Sequence, residues 1–372
     1  MNAIELSKKI GGKVEIVSKI KLNKDNLSVL YTPGVAEVSK AVAKNKKLSF
    51  EYTIRKNSVA VVSDGSAVLG LGNIGPEGAL PVMEGKALLF KELGGVDAFP
   101  IVLNTQDTDE IVSIIKNISP TFGGINLEDI SAPRCFEIEE RLKKELNIPI
   151  FHDDQHGTAI VVLAGLINAL KVVKKDVKKV KIAISGVGAA GIAIAKLLLK
   201  YGVKNIILVD TKGAIWKGRK EGMNDAKIEM AKITNISLEK GEVGEVIVGA
   251  DVFIGVSAPG ILKSDDIGRM NKDAIVFAMS NPVPEIMPEE AKKGGARIIA
   301  TGRSDYPNQI NNVLAFPGIF RGAFDKRVKD ITDNHKIKAA KALASLVKNP
   351  KCGKIIPSAL NKEAVRVVAN VF

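Results

Sequence analysis

Cysteine is scarce in this chain: Cys135 and Cys352 are the only two in 372 residues. Two such residues make neither a disulfide framework nor a zinc site. No catalytic-histidine pattern accompanies Cys135, so it reads as a small buried hydrophobe. Long apolar runs are missing as well. No stretch reaches the roughly 18 uncharged apolar residues that a membrane-spanning helix needs, and no membrane association is expected. The opening MNAIELSKKIGGKVEI lacks the apolar core of a secretory signal, because Glu5 and Lys8 interrupt it. A cytoplasmic protein is expected. Neither internal repeats nor a low-complexity tail is found.

What is abundant is positive charge, +13 net at pH 7. The lysines are scattered and mixed with glutamate. The densest run, KVVKKDVKKVK (171–181), has no interleaved aromatics and reads as a solvated helix face and interdomain connection. Nucleic-acid binding is therefore not expected, whereas such a surface would draw an anionic substrate. Abundant lysine and glutamate with few cysteines also suits a heat-adapted protein. Thirty-four glycines and an apolar fraction of 46% fit a folded α/β chain with many tight turns. The length accommodates two domains, each with a substantial core.

The first half alternates short apolar runs with helical patterns. SVAVVSDGSAVLGLG (58–72) reads as a strand followed by glycine-rich turns, and EGKALLFKELGG (84–95) as a helix closed by a glycine pair. VDAFPIVLN (96–104) is a strand, and TDEIVSIIKNI (108–118) an amphipathic helix with Thr108 as N-cap. GGINLEDI (123–130) and IPIFHDD are further strands, separated by the helix CFEIEERLKKEL. GTAIVVLAGLINALKVVKK is a long apolar helix. This rhythm is α/β with a largely parallel sheet. The lysine-rich stretch places a boundary near residue 170, giving domains of 1–170 and 171–372.

The second half opens with KVKIAISGVGAAGIAIAKLLLKYGVKNIILVD (179–210): strand, glycine turn, helix, strand. Gly186, Gly188 and Gly191, with Ala189 and Ala190 between them, form GxGxxG. Asp210 ends the next strand at about the 20-residue spacing that the dinucleotide fingerprint demands. Gly186 permits the tight turn, Gly188 the approach of a pyrophosphate, and Gly191 close helix packing. The helix N-terminus offers free N–H groups to the phosphates. Asp210 is placed for a ribose 2′-hydroxyl, which favours NAD, while Lys212 beside it suits a 2′-phosphate, so NAD and NADP both stand. Apolar strands recur at VFIGVS and AIVFAMSNP, as a doubly wound Rossmann domain requires.

FHDDQHGTAI (151–160) sets Asp153 beside Asp154 after an apolar run, and Glu128 and Asp129 end another. Strand ends on one edge of a parallel sheet converge on a crevice. Carboxylates meeting there suit a hard cation such as Mg²⁺ or Mn²⁺, which would remove their mutual repulsion. Spacing supports equally that these acids cap the helices that follow them. His152 and His156 read as locally packed or hydrogen-bonded residues, and His335 as a surface residue.

YTPGVAEVSKAV (31–42), SDGSAVLGLGNIGPEGALPVMEGKALLFKELGGVDAFPI, INLEDISAPRCFEIE, FHDDQHGTA, GVGAAG, SNPVPE (280–285) and NQINNVLAFPG (308–318) together resemble the short prokaryotic malic enzymes over most of the chain. The resemblance implies an N-terminal α/β domain for substrate, metal and dimerisation, followed by the Rossmann NAD(P)-binding domain. It implies oxidative decarboxylation of (S)-malate to pyruvate and CO₂, with NAD or NADP and with Mn²⁺ or Mg²⁺. The metal ligands fall on Glu128, Asp129 and Asp154. The catalytic tyrosine falls on Tyr31, the catalytic lysine on Lys86, and the lysine's supporting carboxylate on Asp153. Asn281 and Asn312 match substrate-binding asparagines, and Asn281 also borders the cofactor. Longer relatives carry an arginine for a malate carboxylate where this chain has Ala67. Ser66, Asn281, Asn312 and backbone groups are the remaining candidates for that anchor.

In this reading Lys86, with its pKa pulled down by its surroundings, takes the substrate hydroxyl proton, and Tyr31 protonates the enolate carbon. The resemblance also implies a homodimer or higher homo-oligomer. Three alternatives use other chemistry: a redox-neutral conversion of malate to lactate on the same residues, a metal-free two-domain dehydrogenase acting on amino acids, and a non-enzymatic nucleotide or nucleic-acid binder.

Overall fold

The structure is a computed structural model and describes residues 2–372. Two sheets organise the chain. The first has four strands, β1 (Ser58–Ser63), β2 (Asp97–Val102), β3 (Gly124–Leu127) and β4 (Ile150–His152), all parallel and in the order β2-β1-β3-β4. The second has β5 (Lys181–Ser185), β6 (Asn205–Asp210), β7 (Gly213–Ala214), β8 (Val252–Gly255), β9 (Ile275–Ala278) and β10 (Ile298–Thr301), in the order β10-β9-β8-β5-β6-β7. Only β7 runs antiparallel. From β5 the chain passes to β6 on one side and later to β8 on the other, so the turn after β5 lies at a topological switch point.

The helix Asp153–Val173 joins the two halves. By length and composition it is apolar enough to cross a bilayer, but it is a core helix with most of its surface covered. Ile160, Val162 and Leu166 share one apolar cluster with Val59 and Val61 of β1 and with Ile182 and Ile184 of β5. Each such side chain contributes on the order of 1.5–3 kcal/mol through burial. Helix Phe316–Lys326, late in the chain, returns to the first sheet. There Phe316 and Phe320 pack on Phe90 with ring centroids 4.7 and 5.3 Å away, and Phe320 meets Phe151 at 6.0 Å.

Boundaries differ from the sequence reading where proline and capping chemistry intervene. The helix expected from residue 84 begins at Gly75, because Pro76 sits in the first turn, where its missing N–H costs nothing. Asp107, not Thr108, caps the following helix and accepts from the Glu110 N–H at 2.9 Å. The lysine-rich run leaves the long helix at Val173 and turns into β5. Lys175 is tied to Asp251 and Lys181 to Glu239. No residue from 2 to 57 is buried, although Phe50 packs against the apolar cluster around Ala60 and Ile125.

Candidate active site

The carboxyl ends of β3, β4, β5, β8 and β9 open onto one cleft of about 790 Å³. Glu128 and Asp129 follow β3, and Asp153 and Asp154 follow β4 as the first residues of their helix. The capping alternative fails here. The helix is preceded by His152 and has no side-chain cap, and neither has the helix Arg134–Glu145 that follows Asp129. The carboxylates instead face inward. Ligand oxygens of Glu128, Asp129 and Asp154 lie within 4.8 Å of one another. Asp129 adopts a left-handed backbone with φ of 55°, and its N–H donates to Asp154 Oδ2 at 2.8 Å. Asn126 donates to Glu128 Oε2 at 2.9 Å.

Lys86, from helix Gly75–Gly94, is buried beside this cluster. Its Nζ lies 2.5 Å from Asp153 Oδ2, 2.8 Å from Glu128 Oε1 and 4.1 Å from the centre of the Phe316 ring. Burial works against the ammonium, but Asp153 and Glu128 outweigh it and raise the lysine's pKa above its ordinary value. This is opposite to the lowered pKa expected from sequence; two carboxylates in contact hold the proton on. The acids are raised too, which in their case favours the neutral form. Burial, with Asp154 and Glu128 adding repulsion, lifts Asp129 to about 9. Burial also lifts Asp153 to about 7 and Asp154 to about 6. Asp129 Oδ2 is a buried oxygen with no partner. One lysine against four carboxylates leaves a deficit of positive charge that a divalent cation fits.

Across the cleft stands the turn after β5. Gly186 has φ of +107°, and a Cβ there would collide with the Val256 carbonyl. A Cβ on Gly191 would collide with the carbonyl of Gly186. Gly188, by contrast, faces open space, and the helix Ala189–Tyr201 begins after it without a side-chain cap. The first N–H groups of that helix are thus free at the cleft, a cradle suited to a pyrophosphate. Ala189, Ala190, Asn281 and Asn312 line the same cleft, as does Ala67.

Other candidates are placed elsewhere. Ser66 does not line the cleft. Its hydroxyl donates to Asp64 Oδ1 at 2.6 Å and accepts from Ser131 N–H at 2.9 Å, bracing the loop after β3. Asp210 ends β6 as expected, but its carboxylate is already engaged by Arg219 at 2.7 Å and Lys227 at 2.6 Å. Tyr31 is 68% exposed, in the region without buried residues, and is absent from the cleft. His156 is hydrogen-bonded to Glu139 at 2.9 Å, and His152 is fully buried with its Nδ1 3.9 Å from Asp154.

Sequence reasoning missed two supports. Gly157 is needed because a Cβ would collide with the Asp153 carboxylate. Glu285, fully buried, accepts from Ser257 N–H at 2.8 Å and Ser280 N–H at 3.0 Å and so fixes the far wall of the cleft. Gly157 stands in FHDDQHGTA and Glu285 in SNPVPE. Neither position carries a local signal of its role, which only the packing supplies.

Comparison with known proteins identifies the family. The family model described as the malic enzyme N-terminal domain matches residues 11–143, and that described as the malic enzyme NAD-binding domain matches 155–372. The chain is 57% identical over 370 residues to a bifunctional malic/malolactic enzyme of Bacillus subtilis, covering 99% of this chain and 90% of that protein. It is 60% identical to an NAD-dependent malic enzyme of Geobacillus stearothermophilus, covering 96% of this chain and 75% of the relative. A crystal structure of an NAD-dependent malic enzyme from Thermotoga maritima superposes with a TM-score of 0.97 at 50% identity, covering 100% of this chain and 98% of the other. The chain belongs to the malic enzyme family.

Proposed function

We propose that the protein oxidatively decarboxylates (S)-malate to pyruvate and CO₂, reducing NAD or NADP, with a divalent cation held by Glu128, Asp129 and Asp154. The observation that carries this reading is Lys86, clamped between Asp153 and Glu128 beside three converging carboxylates and facing the glycine turn after β5. A bound Mg²⁺ or Mn²⁺ supplies Lewis-acid polarisation of the substrate's oxygens. A nicotinamide dinucleotide held by the turn after β5 would supply the hydride acceptor. The chain's own residues do the rest. Glu128 and Asp153 together hold the proton on Lys86, and a cation held by Glu128 would offset one of those two charges. Asp153 orients the Lys86 amine, which in its neutral form would take the hydroxyl proton. Asn281 and Asn312 offer hydrogen bonds to the substrate from the opposite wall. No arginine lines the cleft, so the distal carboxylate rests on such neutral donors.

Tyr31 serves as the acid that protonates the enolate carbon, and a second copy of the chain supplies it. Two facts support this: Tyr31 stands outside its own cleft, and the segment that carries it exposes Ile16 at 86%, Val17 at 71% and Val29 at 68%. An apolar surface of this kind belongs to an interface, and a two-fold homodimer is its simplest form.

NAD and NADP are both accepted in this reading. Asp210 is neutralised by Arg219 and Lys227, so the ribose edge does not repel a 2′-phosphate. Curated relatives divide the same way, with an NADP-dependent malic enzyme of Rhizobium meliloti 50% identical over 341 residues, covering 91% of this chain and 44% of that protein.

The testing experiment is a spectrophotometric assay of metal-stripped protein with (S)-malate and either cofactor, followed by Mn²⁺. Reduction that requires the metal and yields pyruvate is expected. The Bacillus subtilis relative's name includes malolactic activity, so lactate is measured alongside. Lactate without net reduction would replace the oxidative reading with the redox-neutral one.

A further inference from the structure

A second cavity, more enclosed and of about 460 Å³, lies at the opposite, amino ends of β1, β3 and β4. The arm before β1, the turns that lead into β3 and β4, and helix Phe316–Lys326 with the residues after it wall it in. Five cations face it, Lys47, Arg55, Lys56, Arg321 and Arg327, against Asp325 alone. Arg321 pairs with Asp325 at 2.6 Å, and Arg327 lies 3.4 Å from Glu51 outside the lining. Among the described residues, no carboxylate is within ion-pair distance of Lys47, Arg55 or Lys56.

Arg55 is held by neutral groups. Its Nε donates to the Phe122 carbonyl at 3.1 Å and its Nη1 to Ser49 Oγ at 3.1 Å, while the guanidinium lies 4.1 Å over the Phe50 ring. A guanidinium carries five N–H donors, so this one is fixed in place with donors to spare. Burial lowers its pKa, as expected for a cation without a counter-ion. A rigid, unpaired arginine flanked by two free lysines is a recognition geometry for phosphoryl or carboxylate groups. The volume is that of a small-molecule site.

We propose that this cavity binds a compact polyanion, a small molecule bearing two or more phosphoryl or carboxylate groups, at the end of the first sheet remote from the catalytic cleft. Three unpaired cations around one half-open volume call for more than one negative charge. They also give part of the chain's net positive charge a local use.

Thermal unfolding of the intact chain tests this, with excess EDTA and saturating NAD in every sample so that neither the metal cluster nor the dinucleotide cradle answers for the probe. The probes are pyrophosphate and, separately, citrate, with chloride at matched ionic strength as control. A saturable rise in Tm of about 2–4 °C is expected from at least one of them. That rise should vanish in the Lys47→Glu/Lys56→Glu variant. Both lysines are exposed and outside the cleft, so this variant should keep its metal-dependent malate oxidation. Lys56→Gln, the milder change, should weaken the apparent affinity several-fold. A response to pyrophosphate alone assigns phosphoryl groups, and a response to citrate alone assigns carboxylates. No rise with either probe, or an equal rise in the charge-reversed variant, overturns the proposal.

Discussion

Lys86 brings one positive charge to four carboxylates, and this imbalance decides what single substitutions should do. Asp154→Asn keeps the volume and removes a ligand charge. Malate turnover should fall by about a thousandfold or more, and the rise in Tm that Mn²⁺ gives the wild type should disappear. Lys86→Ala should lower turnover by a factor on the order of 10²–10⁴, the usual worth of a general acid–base group. NAD binding, followed by fluorescence, should survive in both variants. Near wild-type rates in either would remove the assigned role. Asp210 invites a subtler test. Its carboxylate offsets Arg219 and Lys227, so Asp210→Asn should free both cations for a 2′-phosphate. The ratio of kcat/KM for NADP to that for NAD should then rise by about tenfold, one favourable charge contact's worth. An unchanged ratio would place cofactor choice elsewhere.

At the scale of elements, the helix Asp153–Val173 shows what a sequence reveals and what it hides. Its apolar run and its opening acids were legible, as were the glycine turn after β5 and the strands on either side, because each depends on neighbours within one or two turns of chain. Whether Asp153 and Asp154 cap the helix or face a site was not legible. That depends on Lys86, 67 residues away, and on Asp129, 25 residues away. The same distance hid the direction of the Lys86 pKa and the return of helix Phe316–Lys326 to Phe90. The resemblance named Lys86 and Tyr31, whereas local patterns could not have distinguished either from an ordinary surface residue.

One turn further along this helix, His156 lies in a polar network between three helices. It contacts Glu139, which also pairs with Lys143, and its Nδ1 accepts from Lys336, which also pairs with Asp333. Burial lowers the pKa of His156 from 6.5 to about 4. Burial alone would raise that of Glu139, but His156 and Lys143 hold it well below the ordinary value. Both shifts act in one direction. The unfolded chain takes up protons that the fold resists, so the network's stabilisation is intact above about pH 6.5 and is lost as pH falls toward 4. Tm measured against pH should therefore fall less steeply over that window in His156→Gln than in the wild type. Parallel profiles would show that the network does not couple folding to protons.

At the scale of the whole molecule, residues 2–44 pose the largest question, since a segment with no buried residue and many exposed apolar ones has no reason to hold its shape alone. A homodimer in which each arm covers the partner answers it and brings Tyr31 to the other copy's cleft. Sedimentation should then give about twice the 39.7 kDa chain mass. The sharper test mixes two dead variants, Tyr31→Phe and Lys86→Ala. If the tyrosine acts across the interface, a mixed dimer has one cleft with both residues intact and one with neither. Random reassortment makes half the dimers mixed, so activity should recover to about a quarter of the wild-type level. If the tyrosine acts within its own chain, every cleft in the mixture lacks one residue and no activity returns. Recovery therefore requires exchange between copies, and the arm's exposed leucines, isoleucines and valines would be the surface that makes the exchange stable.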